Sequence, residues 1–122
     1  MVIDTSIFID FLRARDKQST SLFNLPDTQH SLSAVTMFEL QMGATSSAKK
    51  NDILLLTDGL DILSFTNEIA LKASQIYHEL RAVNQMIEFR DIFIAATSII
   101  HELPLATLNV KHFSRINKLQ LI

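Results

Sequence analysis

The chain has 122 residues, two glycines, no cysteine and a formal charge of −2. Its length suits one domain, residues 1–122, and its composition, 48% hydrophobic and 20% charged, is that of a globular chain rather than a disordered one. The missing cysteine excludes disulfides, thiolate zinc sites and a cysteine nucleophile. Two glycines are too few for a glycine-rich phosphate-binding loop, and the mild acidity argues against a broadly basic nucleic-acid-binding surface.

Neither a leader nor a membrane segment is expected. The segment Met1–Asp10 contains no Lys or Arg, so it lacks the positive charge of a signal peptide. The longest nearly apolar stretch, Ile92–Ile100, has nine residues and includes Thr97 and Ser98. A bilayer-spanning helix needs roughly 18–20 apolar residues. We therefore expect a cytoplasmic protein.

The first half of the chain alternates between short apolar runs and helical patterns. Short apolar runs predict strands, and apolar residues that recur on one helical face predict helices. A glycine that follows such a pattern is typical of a helix C-terminus. In chain order, the predicted elements are a strand at Met1–Ile3, a helix beginning after Asp4, a strand at His30–Ser33, a helix from Thr36 that ends at Gly43 as its C′ residue, and a helix at Lys49–Asp58.

The second half continues the same alternation. It predicts a strand at Ile62–Phe65, a long helix capped by Thr66, a buried helix opening at Asp91 and a strand at Leu105–Thr107; Leu119–Ile122 would add a fifth strand. This order predicts an α/β fold in which helices flank both faces of a parallel sheet of four to five strands. In such sheets a ligand binds beyond the carboxyl ends of the strands.

Four polar residues fall at a predicted strand end or helix start, namely Asp4, Glu39, Asp91 and Asn109. Each has an ordinary structural explanation as well. Asp4 suits a helix N-cap, and Glu39 stands three residues after Thr36, as in a capping box. Asp91, like its neighbour Glu88, suits the positive end of a helix dipole, and Asn109 suits a turn.

The set is more informative than any one member. The predicted topology would gather these side chains at one edge of the sheet. Two carboxylates about 5 Å apart repel by roughly 3 kcal/mol at an effective dielectric near 20, so a cluster of three needs a cation or a raised pKa. Oxygen ligands favour Mg²⁺ or Mn²⁺ over zinc.

Four segments together match a known family in its order and spacing. They are Val2–Ser6, Ser33–Gly43, Asp91–Ala96 and Thr107–Phe113. In these segments, and over essentially its whole length, the chain resembles the PIN-domain ribonucleases, specifically the VapC-like toxins of toxin–antitoxin pairs. A glycine that the family usually has before the Asp91 helix is replaced near Asn84, a residue that also tolerates left-handed backbone.

The resemblance implies a PIN fold and a Mg²⁺- or Mn²⁺-dependent endoribonuclease acting on tRNA or other structured RNA. Asp4, Glu39 and Asp91 match the three acidic catalytic and metal-binding positions. Asn109 matches a fourth metal position, where many members have an acid, and Ser6 and Thr107 match small polar residues that support the site.

The resemblance also implies partners. These are a small VapB-like antitoxin that covers the active site and a second copy of the chain, with the helix faces around Phe8–Phe11 and Lys49–Leu56 as candidate surfaces. RNA contacts are expected from local basic residues, namely Arg13, Arg15, Lys111, His112 and Arg115.

Two other functions stay open. A PIN domain could bind RNA or a protein without cutting, although the three intact acids argue against it. An aspartate-based phosphotransfer domain would need paired acids early in the chain, and Asp4 has no acidic neighbour. If three of the 13 acids bind metal, 11 basic residues face ten remaining acids, and the overall charge no longer argues against RNA.

Overall fold

A computed structural model describes all 122 residues and contains a four-stranded parallel sheet with the order β3-β2-β1-β4. Helices pack on both faces of this sheet, as the sequence predicted. A single 3₁₀ turn, Lys17–Ser19, lies outside the regular alternation. The other elements are β1 (Val2–Ile3), α1 (Thr5–Arg13), β2 (Ser31–Ser33), α2 (Ala34–Gly43), α3 (Ser47–Thr57), β3 (Asp61–Leu63), α4 (Asn67–Ala82), α5 (Phe89–Ile100), β4 (Leu105–Ala106) and α6 (Val110–Phe113).

Two predicted strands differ from the structure. The fifth strand, Leu119–Ile122, is reduced to one parallel bridge between Leu121 and Leu105. β3 occupies Asp61–Leu63 instead of Ile62–Phe65, and it pairs with β2 from Ser31 to Ser33. Because β2 gives way to α2 after Ser33, residues 64 and 65 have no strand to pair with.

The start of α2 also differs from the prediction. Ser33 is its N-cap, and the Ser33 hydroxyl accepts a hydrogen bond from the Thr36 backbone N–H at 3.0 Å. Thr36 therefore lies inside the helix and caps nothing. At the other end Gly43 is the last helical residue, and Ala44 takes the C-cap position that follows it. By contrast, Thr66 caps α4 as predicted.

The apolar core is divided by the sheet, because successive strand residues point to opposite faces. Val2 and Leu105 pack with α4 and α5, whereas Ile3 and Ala106 pack with α1, α2 and α3. Phe8 is fully buried in the second cluster. The expectation that Phe8 belongs to a docking surface is therefore wrong.

The exposed apolar residues lie on other helices. On α3, Leu54 and Leu55 are 56% and 67% exposed, so the Lys49–Leu56 helix does present an apolar face. Val83 is the C-cap of α4 and is largely exposed. Asn84 follows it with φ of 53°, the left-handed backbone that the sequence anticipated there. None of the helices combines the length and apolarity that crossing a membrane requires.

Parallel pairing brings the carboxyl ends of all four strands to one edge. Asp4 directly follows β1, and α2, which carries Glu39, directly follows β2. Thr107 and Asn109 follow β4, and α5 brings Asp91 in its first turn. The fold therefore gathers at one place the polar residues that the sequence singled out.

Candidate active site

A cavity of about 230 Å³ lies at the carboxyl edge of the sheet. Eight of its nine lining residues are polar or charged, in contrast to the apolar clusters on both sides of the sheet. The lining includes all four residues predicted to bind metal, together with three polar neighbours. They are Asp4, Glu39, Asp91 and Asn109, with Ser6, Glu88 and His112 beside them.

Asp4 is the most rigidly held of the carboxylates. It is 2% exposed and caps α1, and its Oδ2 accepts a hydrogen bond from the Ser6 backbone N–H at 3.4 Å. Oδ2 also accepts hydrogen bonds from the hydroxyl of Ser6 at 2.6 Å and from that of Thr107 at 2.8 Å. All three bonds converge on one oxygen, so Oδ1 is left for another partner. The structural and functional explanations of Asp4 are thus compatible.

Glu39 does not form the capping box that its spacing suggested. Its Oε1 accepts a hydrogen bond from the Thr5 hydroxyl at 2.9 Å. Its Oε2 lies 3.2 Å from Nη1 of Arg90. Because the N–H of Thr36 is bonded to Ser33, the carboxylate is free to reach across the cavity instead of back along its own helix.

Asp91 carries the most perturbed carboxyl group of the site. Its pKa is raised from 3.8 to about 6, first by burial and then by the nearby charges of Asp4, Glu39 and Glu88. His112 acts in the opposite direction, with its Nδ1 4.0 Å from Oδ2 of Asp91. The cavity therefore holds more negative charge than its own cations neutralise.

Asn109 lies at the mouth of the cavity. It is exposed, and it occupies the N-cap position of α6 without a side-chain capping bond. Its backbone N–H donates to the Thr107 hydroxyl at 2.9 Å, which fixes the loop after β4 but leaves the amide side chain unengaged.

The basic residues predicted to contact RNA are distributed unevenly around the site. Only His112 lines the cavity itself. Arg13 lines an adjacent groove, and Arg15 and Lys111 are exposed farther out. Arg115 donates from Nη1 to the Met86 carbonyl at 3.1 Å and so also has a structural contact.

The chemistry of these residues suits a divalent cation, but the side chains are not arranged around a common centre. As the side chains stand, no three His, Asp or Glu residues are grouped so that they could hold one metal ion. Glu39 is directed toward Arg90 and Asp4 toward its own donors. The donor set is nevertheless all oxygen, is short of positive charge and lines one cavity, which suits Mg²⁺ or Mn²⁺ once the side chains adjust.

Sequence reasoning missed two residues of this site. Thr5 was passed over as part of the segment after β1, and Arg90 as the residue before Asp91. Arg90 also reaches Glu88, with Nη2 2.8 Å from Oε2. A cation next to a predicted cluster of acids was the one available signal for Arg90.

Comparisons with known proteins agree with this fold. The sequence profile of the PIN domain matches residues 1–119. Ribonuclease VapC1 of Rickettsia felis is 30% identical over 129 residues, covering 100% of this chain and 94% of that protein. The tRNA(fMet)-specific endonuclease VapC of Salmonella typhimurium is 26% identical, covering 94% of this chain and 90% of that one.

A solved structure gives the same result. The VapBC-1 structure from nontypeable Haemophilus influenzae superposes with a TM-score of 0.83 and 28% sequence identity. The match covers 99% of this chain and 95% of that chain. The α/β architecture is thus that of a fold with known members.

Proposed function

Because the chain belongs to the PIN domain family and its relatives include VapC ribonucleases, we propose that it is an endoribonuclease that hydrolyses phosphodiester bonds in tRNA or other structured RNA. The observation that carries the proposal is the cavity that collects Asp4, Glu39 and Asp91 at the carboxyl edge of the sheet. Mg²⁺ or Mn²⁺ is the proposed cofactor, held by these three residues together with Asn109.

A divalent cation, when bound, supplies Lewis acidity that activates water and neutralises charge on the phosphate. The protein's part is to orient its ligands. Ser6 and Thr107 fix Asp4 by bonding one oxygen and leaving the other without a hydrogen bond. Thr5 fixes Glu39 through Oε1, while Arg90 lies against Oε2. Hydrogen bonds of this kind hold a metal ligand in one orientation and raise its basicity.

The crowding around Asp91 supports the same proposal. An RNA phosphate is repelled by bare carboxylates, and both burial and the nearby acidic charges raise the pKa of Asp91. Positive charge between the carboxylates and the phosphate removes that obstacle. His112 lines the cavity beside Asp91 and is the proposed contact for the phosphate. No side-chain nucleophile is needed, in keeping with the absence of cysteine.

The proposal is tested by incubating the purified chain with total tRNA in Mg²⁺, in Mn²⁺ and in EDTA. We expect cleavage only with a divalent cation, and a loss on the order of 10²–10³-fold for Asp4→Asn. Asp27→Asn is the matched control, because Asp27 is exposed in a loop after α1 and lines neither cavity nor groove.

Two outcomes contradict the proposal in different ways. Cleavage that survives EDTA or Asp4→Asn overturns the metal mechanism. Tight RNA binding without cleavage under any cation condition favours the alternative of a binding-only PIN domain. Gel analysis of end-labelled RNA distinguishes these two outcomes, because RNA binding and RNA cleavage are measured on the same samples.

We also propose that the chain is the toxin of a toxin–antitoxin pair and that a VapB-like antitoxin covers this site, as the VapBC complex among its structural neighbours suggests. A groove of about 410 Å³, lined by residues of α1, α2 and α3, adjoins the cavity. Leu12, Leu40 and Ile53 line the groove, and Glu39 lines both groove and cavity. An amphipathic antitoxin segment in the groove would place a basic side chain against Glu39.

The partner is tested with the product of a short reading frame beside the gene for this chain. We expect that product to co-purify with the chain and to suppress cleavage. Leu12→Glu, in the groove, should weaken the complex, whereas Leu71→Glu on the exposed face of α4 should not. Equal effects of both would contradict docking in the groove. The expected homodimer stays a prediction, which light scattering on the chain alone can test.

A further inference from the structure

Both oxygens of Glu39 are already occupied. Thr5 donates to Oε1 at 2.9 Å, and the Arg90 guanidinium lies 3.2 Å from Oε2. The second arm of the same guanidinium is 2.8 Å from Oε2 of Glu88. Arg90 thus bridges one carboxylate inside the cavity and one at its rim, with a planar fork that suits two carboxylates at once.

This bridge competes with a divalent cation for Glu39. A carboxylate oxygen can accept a hydrogen bond and bind a cation at once, so the Thr5 bond can stay, but the positive charge of Arg90 lies 3.2 Å from Oε2 and opposes a second cation there. Thr5 is 6% exposed and belongs to α1, so its hydroxyl has little freedom to move. The Arg90 side chain is 43% exposed at the surface and can swing into solvent.

We propose that Arg90 is an exchangeable internal cation: it holds Glu39 in the metal-free protein and must release Glu39 Oε2 when a divalent cation binds. Arg90 is then a positioning residue that sets how tightly the site takes its cation. The inference rests on the proposed metal-dependent function, because it needs a cation site that includes Glu39. The Arg90 side chain is 43% exposed and that of Glu39 15%, so solvent screens the ion pair mainly from the Arg90 side.

The direct test is the affinity of the chain for Mn²⁺, measured by isothermal titration calorimetry at low salt without RNA. We expect Arg90→Gln to tighten Mn²⁺ binding by up to about fivefold, the change that losing an exposed ion pair allows. Arg90→Lys keeps the positive charge but loses the planar guanidinium. Its Mn²⁺ affinity should therefore lie between those of the unmodified chain and of Arg90→Gln. Circular dichroism confirms that each variant is folded.

A matched control separates direct competition from a general change in charge. Arg13→Gln removes the same charge beside the groove that Glu39 also lines, but Arg13 forms no ion pair with Glu39. We expect its Mn²⁺ affinity to stay within about twofold of the unmodified chain. An equal tightening by Arg13→Gln and Arg90→Gln would overturn the proposal.

A double-mutant cycle gives the second criterion. If Arg90 acts through Glu39, Arg90→Gln should no longer tighten Mn²⁺ binding once Glu39→Gln is present. A tightening that persists in the Glu39→Gln background contradicts the proposal, as does unchanged or weaker binding by Arg90→Gln alone.

Failure of the proposed function looks different from failure of this inference. If the unmodified chain binds no Mn²⁺ and its RNA cleavage survives EDTA, the metal-dependent function fails and the Arg90 proposal fails with it. If the chain binds Mn²⁺ and needs it for cleavage while Arg90→Gln binds no more tightly, only the role of Arg90 is wrong.

Discussion

The two sides of the cavity hold their carboxylates by different means. On the β1 side, Asp4 is buried and is bonded by neutral donors from Ser6 and Thr107. On the α5 side, burial and nearby negative charges raise the pKa of Asp91, and its neighbour Arg90 pairs with the largely buried Glu39 and the exposed Glu88. The carboxylate on the β1 side is held in place by hydrogen bonds, whereas the side chains on the α5 side are held by attraction and repulsion between charges.

The difference follows from where each side comes from in the fold. The β1 side is built on strand ends of the central sheet, where the backbone is fixed and small hydroxyls fit between elements. The α5 side begins one turn from an exposed loop, so its charges are partly hydrated and its side chains can rearrange. We infer that the first side positions the substrate chemistry and that the second adapts to the arriving cation.

Among residues that only support the acids, the largest predicted effect comes from the side that holds Asp4. Thr107→Val removes the hydroxyl that donates to Asp4 but keeps the side-chain shape. We expect cation-dependent RNA cleavage to fall about 10–100-fold, as is usual when a partner that orients a metal ligand is lost. Initial rates with a fixed tRNA substrate measure the effect.

Thr57→Val is the control for this prediction. Thr57 is also a buried threonine, but its hydroxyl donates to the Ile53 carbonyl in α3, away from the cavity. Cleavage by this variant should remain close to that of the unmodified chain. A similar loss in both variants would mean that Thr107 acts through stability alone.

The next effect is on the stability of the metal-free chain, and it differs between Asp91 and Asp4. In the metal-free protein the pKa of Asp91 is raised to about 6, so its ionised form is destabilising above that pH. We expect Asp91→Asn to stabilise the metal-free chain at pH 7.5 by about 1–2 kcal/mol after discounting for solvent screening, or a few degrees in Tm. Asp4→Asn should give no such gain, because it weakens three hydrogen bonds to a buried carboxylate.

The pH dependence fixes the sign of this effect. A folded-state pKa above the unfolded one means that the folded chain binds the proton more tightly. The penalty from Asp91 is therefore complete above about pH 6 and fades as the pH falls toward 3.8. The gain in Tm from Asp91→Asn should shrink over that same window in EDTA. A gain that is independent of pH would contradict the electrostatic origin.

Most of the fold and the identity of the acids could be predicted because they depend on local pattern. Strand–helix alternation fixed the layer order, and strand ends placed Asp4 and Asn109 at the same edge. The start of α2 was predicted wrongly because Ser33 and Thr36 are both good caps, and only the end of β2 decides between them. The bounds of β3 were also predicted wrongly, because they depend on the length of its partner strand β2.

The contacts inside the site could not be read from the sequence, because they join residues far apart in the chain. Thr107 reaches Asp4 across 103 positions, and Thr5 reaches Glu39 across 34. Arg90 is adjacent to Asp91 in sequence, yet its partner in the cavity lies on α2. Such contacts depend on the packing of α2 against α5, which the hydrophobic pattern alone does not determine.

The smallest predicted effect tests how much the α5 side of the cavity contributes to stability. Glu88→Gln removes one of the two carboxylates that Arg90 bridges, but the Glu88 side chain is 70% exposed. The lost ion pair is weak at that exposure, and the same change relieves Asp91 of a nearby negative charge. Because the two consequences oppose each other, we expect the unfolding free energy of the metal-free chain to change by less than about 0.5 kcal/mol. Urea unfolding in EDTA measures it, and Glu79→Gln on the exposed face of α4 is the control. A loss well above that of the control would show that the Glu88–Arg90 pair holds the start of α5, and that this side of the cavity is as fixed as the side of Asp4.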